Sequence, residues 1–262
     1  MDIQLSASDF RLMYPVFIRV LLFDLGGTLM YARDPWPPIL ERADHALIES
    51  LRAQGLTLER EALYEEFHQR LSEYRFSRNT DLFEITTFSV LRGLLTEKGY
   101  ASLPEWIIRS ALDAMYAVTQ LNWELEEDAI PTLKELERRG YRLGMVSNAG
   151  DNKDVIQLAE RFGIETYFDF ILTSATCSYR KPHARIFELA LSHWQMRPQE
   201  AAMVGDMLAA DIAGANGAGI YSIWITRRVE RPADGEEIIQ PKATIASLNE
   251  LPALLNSLRR GQ

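Results

Sequence analysis

Two hydrophobic periodicities divide the chain. Residues 16–24, VFIRVLLFD, form a nearly unbroken apolar run that ends in an acid, and its length and composition predict a buried strand. A proline-rich loop, YARDPWPP, occupies 31–38. From Ile39 to about Leu121 the apolar residues recur three or four apart, which is the spacing of amphipathic helices. Breaks such as Gly55 divide this stretch into four helices with short connections, the pattern of a small bundle. From about Trp123 helix and strand alternate. The helices are LEEDAIPTLKELERRG, NKDVIQLAERFG, KPHARIFELALSHW and LAADIAGANGAG. The strands are YRLGMVSN (141–148), YFDFILTS, AAMVGD (201–206) and IYSIWIT (220–226), with KATIAS and LNELPALLNSLRR at the end. Such alternation predicts right-handed βαβ units and a parallel sheet. The first strand belongs to that sheet, so the bundle is an insertion after it. The expected fold is α/β: a Rossmann-like, mostly parallel sheet core with an inserted helical-bundle cap. The core domain is expected at 1–30 and 122–262, the cap domain at 31–121, and an irregular extension or short helix at 1–14.

Placed on this scheme, the polar residues converge. Asp24, Ser147 and Asp206 each stand at the carboxyl end of a predicted strand, and Lys181 opens a helix just past another. Ligands of open α/β sheets bind beyond the carboxyl ends of the strands. Each segment alone has an ordinary reading: DLGGT as a strand-ending turn, SN as a helix N-cap, GDMLAAD as a turn with a capping acid. Four segments delivering an acid, a hydroxyl, a cation and a second acid to one edge are far more specific.

Composition narrows the partners. The chain of 262 residues is 47% hydrophobic and 25% charged, ordinary for a globular protein with a real core. Its net charge of −9 argues against nucleic acid or anionic membrane as a partner. The single cysteine, Cys177, cannot form an internal disulfide, which fits a reducing, cytoplasmic setting. The N-terminus lacks a basic start and a long apolar run, so neither a signal peptide nor a membrane span is expected. Oligomeric state is not legible.

The ordered set FDLGGTL (23–29), VSNA (146–149), RKPHARIFELAL (180–191) and VGDMLAAD (204–211) resembles the haloacid dehalogenase superfamily, and the insertion resembles that family's subclass I helical cap. The resemblance implies a Mg²⁺-dependent phosphatase or phosphotransferase acting on a small phosphate ester. Asp24 would be the nucleophile and become an aspartyl phosphate. Asp24 and Asp206 would hold Mg²⁺ with the backbone carbonyl of Gly26, and Asp211 would stand behind them, orienting Lys181 or a water on the ion. Ser147, Asn148 and neighbouring N–H groups would hold phosphoryl oxygens, Lys181 would balance charge, and Thr28 would fix the turn with its hydroxyl near the phosphate.

One residue departs from that pattern. Active phosphatases of the family generally carry, at the position of Gly26, an aspartate that protonates the leaving group. Glycine leaves three readings open: a phosphatase biased toward good leaving groups or served by another carrier such as Asp34, a hydrolase of C–X or C–P bonds, or a retired enzyme that only binds. The acidic GDMLAAD segment disfavours C–X cleavage. Lys98, the one lysine of the cap, precedes Gly99 and reads better as a helix C-terminal cation than as a Schiff-base lysine. His45 and His68, with no acid or cysteine at metal-ligand spacing, read as packing residues, His183 as part of a helix's first turn, and Cys177 as an apolar filler. Trp36 packs on the cap or lines the mouth between cap and core, and ELERR (135–139) is a solvated helix face.

Overall fold

The computed structural model describes residues 17–229, 235 and 238–260; the extension expected at 1–14 lies outside them. Among the described residues a six-stranded sheet has the order β5-β4-β1-β6-β7-β8, with every pair parallel. Its strands are β1 (Val20–Phe23), β4 (Arg142–Ser147), β5 (Phe170–Thr173), β6 (Ala201–Gly205), β7 (Tyr221–Ile225) and β8 (Ala243–Ile245). The strands after β1 build outward on one side to β5, then cross to β6 on the other. This places the topological switch, where α/β sheets open a crevice, beside β1.

The apolar run at 20–23 is unbroken because both faces of β1 are covered. Leu21 and Phe23 join the cluster under helices α5 (Ala129–Arg138), α6 (Asn152–Arg161) and α10 (Leu251–Arg260), while Val20 and Leu22 join the one under α8 (Ala184–Ser192). Strand β6 splits likewise, Ala202 and Val204 against Ala201 and Met203. A strand buried on both faces shows no polar alternation.

The inserted segment forms helices α1 (Trp36–Ala53), α2 (Arg60–Asp81), α3 (Thr87–Glu97) and α4 (Glu105–Gln120), gathered on an apolar cluster of their own around Leu47, Leu51, Phe67, Leu91 and Leu112. Thr86 starts α3 by accepting the Ser89 N–H at 3.1 Å, a normal N-cap.

Several elements differ from the periodicity reading. Helix α1 starts at Trp36, inside the proline run, because the first helical turn needs no N–H from proline. Two short strands, β2 (Met30–Ala32) and β3 (Trp123–Leu125), pair antiparallel where the chain leaves and re-enters the core, so the segment from Trp123 begins as a strand and not as a helix. At three residues each they are too short for a period to register. The helix expected over 208–219 is divided into a wide turn, Leu208–Ile212, and α9, Ala213–Gly217, and a four-residue helix α7, Ser174–Cys177, follows β5. In ELERR, Leu136 is fully buried; only the charged positions match a solvated face. No helix among the described residues is long and apolar enough to cross a membrane.

Candidate active site

Three neighbouring strands bring their last residues together. Asp24 follows β1, Ser147 ends β4 and Asp206 follows β6, and all but Asp206 of these, with Lys181 and Asp211, line a cleft of about 290 Å³. Lys181 is the hub. Its Nζ donates to Asp24 Oδ1 at 2.6 Å and to the Val146 carbonyl at 2.7 Å, and lies 2.8 Å from Asp211 Oδ1. The last contact is an ion pair without hydrogen-bond alignment, since Asp211 Oδ1 finds no hydrogen-bond partner. Asn148 fixes the lysine's backbone from both sides: its Nδ2 donates to the Lys181 carbonyl at 2.9 Å and its Oδ1 accepts the Lys181 N–H at 2.8 Å. The Asn148 side chain is thereby committed to Lys181, while the residue also lines the cleft. Ser147 Oγ has no protein partner among the described residues.

The wide turn at 208–212 exists to bring in Asp211. The N–H groups of Asp211 and Ile212 both turn back to the Met207 carbonyl, and Asp211 Oδ2 accepts the Met207 N–H at 3.0 Å. A widened helical turn of this kind re-aims a side chain. Glycine makes the room: a Cβ on Gly205 would lie 2.3 Å from the Asp211 carboxyl carbon, and one on Gly27, whose φ is +79°, would lie 2.2 Å from Asp206 Oδ2. Thr28 is fully buried, outside the cleft wall, with its hydroxyl 3.5 Å from Asp206 Oδ1. Enclosed there, its hydroxyl faces Asp206.

One carboxylate oxygen from each of Asp24, Asp206 and Asp211 lies within 4.8 Å of the others. Crowding of this kind has an electrostatic signature. Burial, followed by the charges of Asp24 and Asp211, raises the Asp206 carboxyl above the ordinary aspartate range. Burial raises Asp211 too, although Lys181 pulls against it. For Lys181 burial opposes the charge, but Asp211 and Asp24 outweigh it and the ammonium is stabilised. One buried ammonium among three carboxylates leaves negative charge uncompensated, and a hard divalent cation matches that donor set.

The wall around this centre contains residues that the sequence reading passed over. Trp123 lies over Gly26, with its ring carbon Cη2 3.0 Å from where a Cβ would stand, and Trp36 packs edge-on behind it at 5.2 Å. Trp36 is therefore a second layer behind the wall. Tyr116 from α4 and Asp154 from α6 complete that side; burial pushes Asp154 up to about 6.

A buried polar latch joins the helical layer to the core at the same place. Glu84, between α2 and α3, has a fully buried side chain paired with Arg180, the residue before Lys181. It also accepts from Ser174 Oγ and Tyr74 OH, both at 2.5 Å. Ser174 Oγ in turn accepts the Ala149 N–H at 2.9 Å, and the Thr87 N–H reaches the Gly150 carbonyl at 3.0 Å. Arg180 is inside the quoted RKPHARIFELAL segment, but a glutamate 96 positions away gives no local signal.

The remaining candidates lie elsewhere. Asp34 is exposed, bonded to Arg33 at 3.0 Å, and absent from the cleft wall. Lys98 closes α3, pairs with Glu66 and is absent from the cleft wall. His183 caps α8, its Nδ1 accepting the Arg185 N–H. His45 and His68 stack on either side of Tyr64, and His68 does meet an acid, Asp44, at 3.4 Å, a partner on the preceding helix that spacing within one helix conceals.

Comparison with known proteins gives the family. A family model described as haloacid dehalogenase-like hydrolase matches residues 18–219. A glyceraldehyde 3-phosphate phosphatase of Pyrococcus furiosus is 28% identical over 93% of this chain and 94% of its own. A ribulose-1,5-bisphosphate 5-phosphatase of Halopiger xanaduensis is 32% identical over 78% and 82%. Among solved structures, a 2-haloacid dehalogenase from Pseudomonas syringae is similar with a TM-score of 0.63 at 26% identity, over 92% of this chain and 99% of that one.

Proposed function

The chain belongs to the haloacid dehalogenase-like hydrolases, and we propose that it is a phosphatase of that family, cytoplasmic, acting on a small phosphorylated metabolite through an aspartyl phosphate on Asp24. The observation that carries this reading is the Lys181 ammonium held between Asp24 at 2.6 Å and Asp211 at 2.8 Å, with Asp206 beside them. Two phosphatases among the similar proteins support the same class.

In this reading Lys181 holds Asp24 Oδ1, leaving Oδ2, which has no protein donor among the described residues, to attack phosphorus. The bond from phosphorus to the leaving oxygen breaks as the Asp24–phosphorus bond forms, and water later cleaves the acyl phosphate. Splitting the transfer into two displacements makes each step easier. Ser147 Oγ and the backbone N–H groups that follow it bind phosphoryl oxygens, and Lys181 offsets their charge. Mg²⁺, held by Asp24, Asp206 and the Gly26 carbonyl with Asp211 behind, would supply the positive charge that draws a phosphate dianion toward a carboxylate. The α1–α4 layer acts as the cap domain, 31–121, that excludes water from the cleft. At position 26 no side chain protonates the departing oxygen, and Trp123 fills that side with an apolar ring. The enzyme therefore favours leaving groups that depart without a proton.

A panel of aryl, acyl and alkyl phosphates assayed with and without Mg²⁺, beside Asp24→Asn, tests this. Mg²⁺-dependent release of phosphate from aryl or acyl esters, lost in Asp24→Asn, is the expected result. Folded protein without activity on any ester would leave the fold as a binding scaffold.

A further inference from the structure

The cleft has a neighbour that the proposed chemistry does not use. A second cavity of about 180 Å³ lies among the helices of the inserted layer, reaches the core only at Gly150, and shares Tyr116 and Gly150 with the cleft as walls. Three charged side chains are in its lining: Asp44, Glu84 and Arg75. The two acids are already engaged. Both Glu84 oxygens accept hydrogen bonds, from Tyr74, Ser174 and Arg180, and the buried Asp44 faces His68. Arg75 has neither an ion pair nor a hydrogen bond to the described residues, only a longer-range attraction to Asp44 in the same cavity, whereas Arg52, Arg60, Arg70, Arg92 and Arg109 of the same bundle each pair with a carboxylate. It is half-buried, so its charge is only partly hydrated. A guanidinium presents a planar fork of donors that suits a carboxylate or phosphoryl group better than a point cation does.

Resting on the phosphatase reading above, we propose that this second cavity receives the leaving group of the substrate, and that Arg75 determines specificity by binding an oxyanion on it. The substrate is then a phosphate monoester with a second anionic group, a carboxylate or another phosphate. Size limits it further. A cavity of about 180 Å³ has room for several waters, since about one probe sphere of such space holds one water, and so accommodates a short acid or phosphate tail.

The test compares matched esters in Mg²⁺ buffer: glycerol 3-phosphate without a second anion, 3-phosphoglycerate with a carboxylate, and propane-1,3-diol bisphosphate with a phosphate. A charge-assisted hydrogen bond is worth about 1.5–3 kcal/mol, so kcat/KM should favour one of the two esters with an anionic tail by roughly 10–100-fold, and which one is favoured identifies the anion. In Arg75→Gln that ratio should collapse toward unity, mainly through KM, and Arg75→Lys should recover part of it. Arg75 has no ion pair or hydrogen bond to lose, only its longer-range attraction to Asp44, so its variants should melt within a few degrees of wild type. Binding of 3-phosphonopropionate against propylphosphonate, by calorimetry, reads the same contact without turnover. Discrimination between the phosphonates without hydrolysis of any ester would keep the subsite and sink the phosphatase reading. Hydrolysis without discrimination, or discrimination that survives Arg75→Gln, would overturn the subsite. Failure in both assays would overturn both readings.

Discussion

Replacing Gly26 with aspartate tests whether the missing proton donor limits the chemistry. Gly26 is not among the left-handed glycines, although its neighbour Gly27 is, at φ +79°, so the backbone at 26 accepts a side chain. The obstacle is Trp123: a Cβ at 26 would stand 3.0 Å and 3.4 Å from two of its ring carbons. Trp36 backs that ring, which limits its retreat. Overpacking of this kind typically costs about 1–3 kcal/mol, so Gly26→Asp alone should lower the melting temperature and aim its carboxyl poorly. Trimming the wall in Gly26→Asp/Trp123→Leu removes the clash. A positioned general acid or base is typically worth ~10²–10⁴ in rate. The double variant should thus raise kcat/KM on an alkyl phosphate by about 10–10³ over Trp123→Leu, with little change on nitrophenyl phosphate, whose leaving group needs no proton. Steady-state kinetics on both esters, with pre-steady-state bursts to follow the acyl phosphate, is the assay. If the double variant folds, binds Mg²⁺ and gains nothing on the alkyl ester, the idea that position 26 limits the rate is wrong.

Other expectations follow from the same geometry. Glu84→Leu strands Arg180 in a buried site, which typically costs about 3–5 kcal/mol when one partner of a buried pair is removed; urea melts should show it, and an unchanged midpoint would mean the latch is dispensable. Asp154 is raised from 3.8 to about 6 by burial. A raised carboxyl favours the folded state only while protonated, so its contribution is full below pH ~4 and lost as pH rises through about 6. Asp154→Asn should therefore stabilise the protein by about 1–3 kcal/mol at pH 7.5, at ~1.4 kcal/mol per pKa unit, and by little near pH 4; equal effects at both would refute the cause. Asp206 and Asp211 are raised to about 7 and about 6 before any cation arrives. Mg²⁺ must displace those protons, so its apparent affinity should climb with pH up to about 7 and then level; calorimetry in buffers of different ionisation enthalpy would detect the released protons, and their absence would argue against these ligands.

The residues that read well from the sequence are those whose neighbours are set by the strand ends. Asp24, Ser147 and Asp206 follow strands whose parallel pairing is dictated by unbroken apolar runs, and the switch beside β1 forces their ends together. Motif spacing carries that information because each acid lies one residue beyond its strand. Thr28 marks the limit of the same logic. A residue four positions after Asp24 is near the site by any spacing rule, but spacing does not say that the turn buries it fully with its hydroxyl 3.5 Å from Asp206.

What the chain conceals lies in the contacts between the helical layer and the core. Helix periodicity names the apolar face, and Leu47, Leu51 and Phe67 are buried as it requires. It is silent about the polar residues at helix ends and loops, because their partners are fixed only when two separately formed units dock. Glu84 is a loop acid by every local rule, and becomes a buried charge only because Arg180, Ser174 and Tyr74 close around it. Trp123 sits at a texture boundary and becomes a wall of the cleft only because the β2–β3 ribbon turns it over Gly26. Those contacts join the helical layer to residues that flank both Ser147 and Lys181: Thr87 reaches Gly150, and Glu84 reaches Arg180. A shift of that layer must break a buried ion pair beside the lysine that holds Asp24. The position of the helical layer and the geometry of the cleft are therefore coupled through side chains that no sequence motif announces.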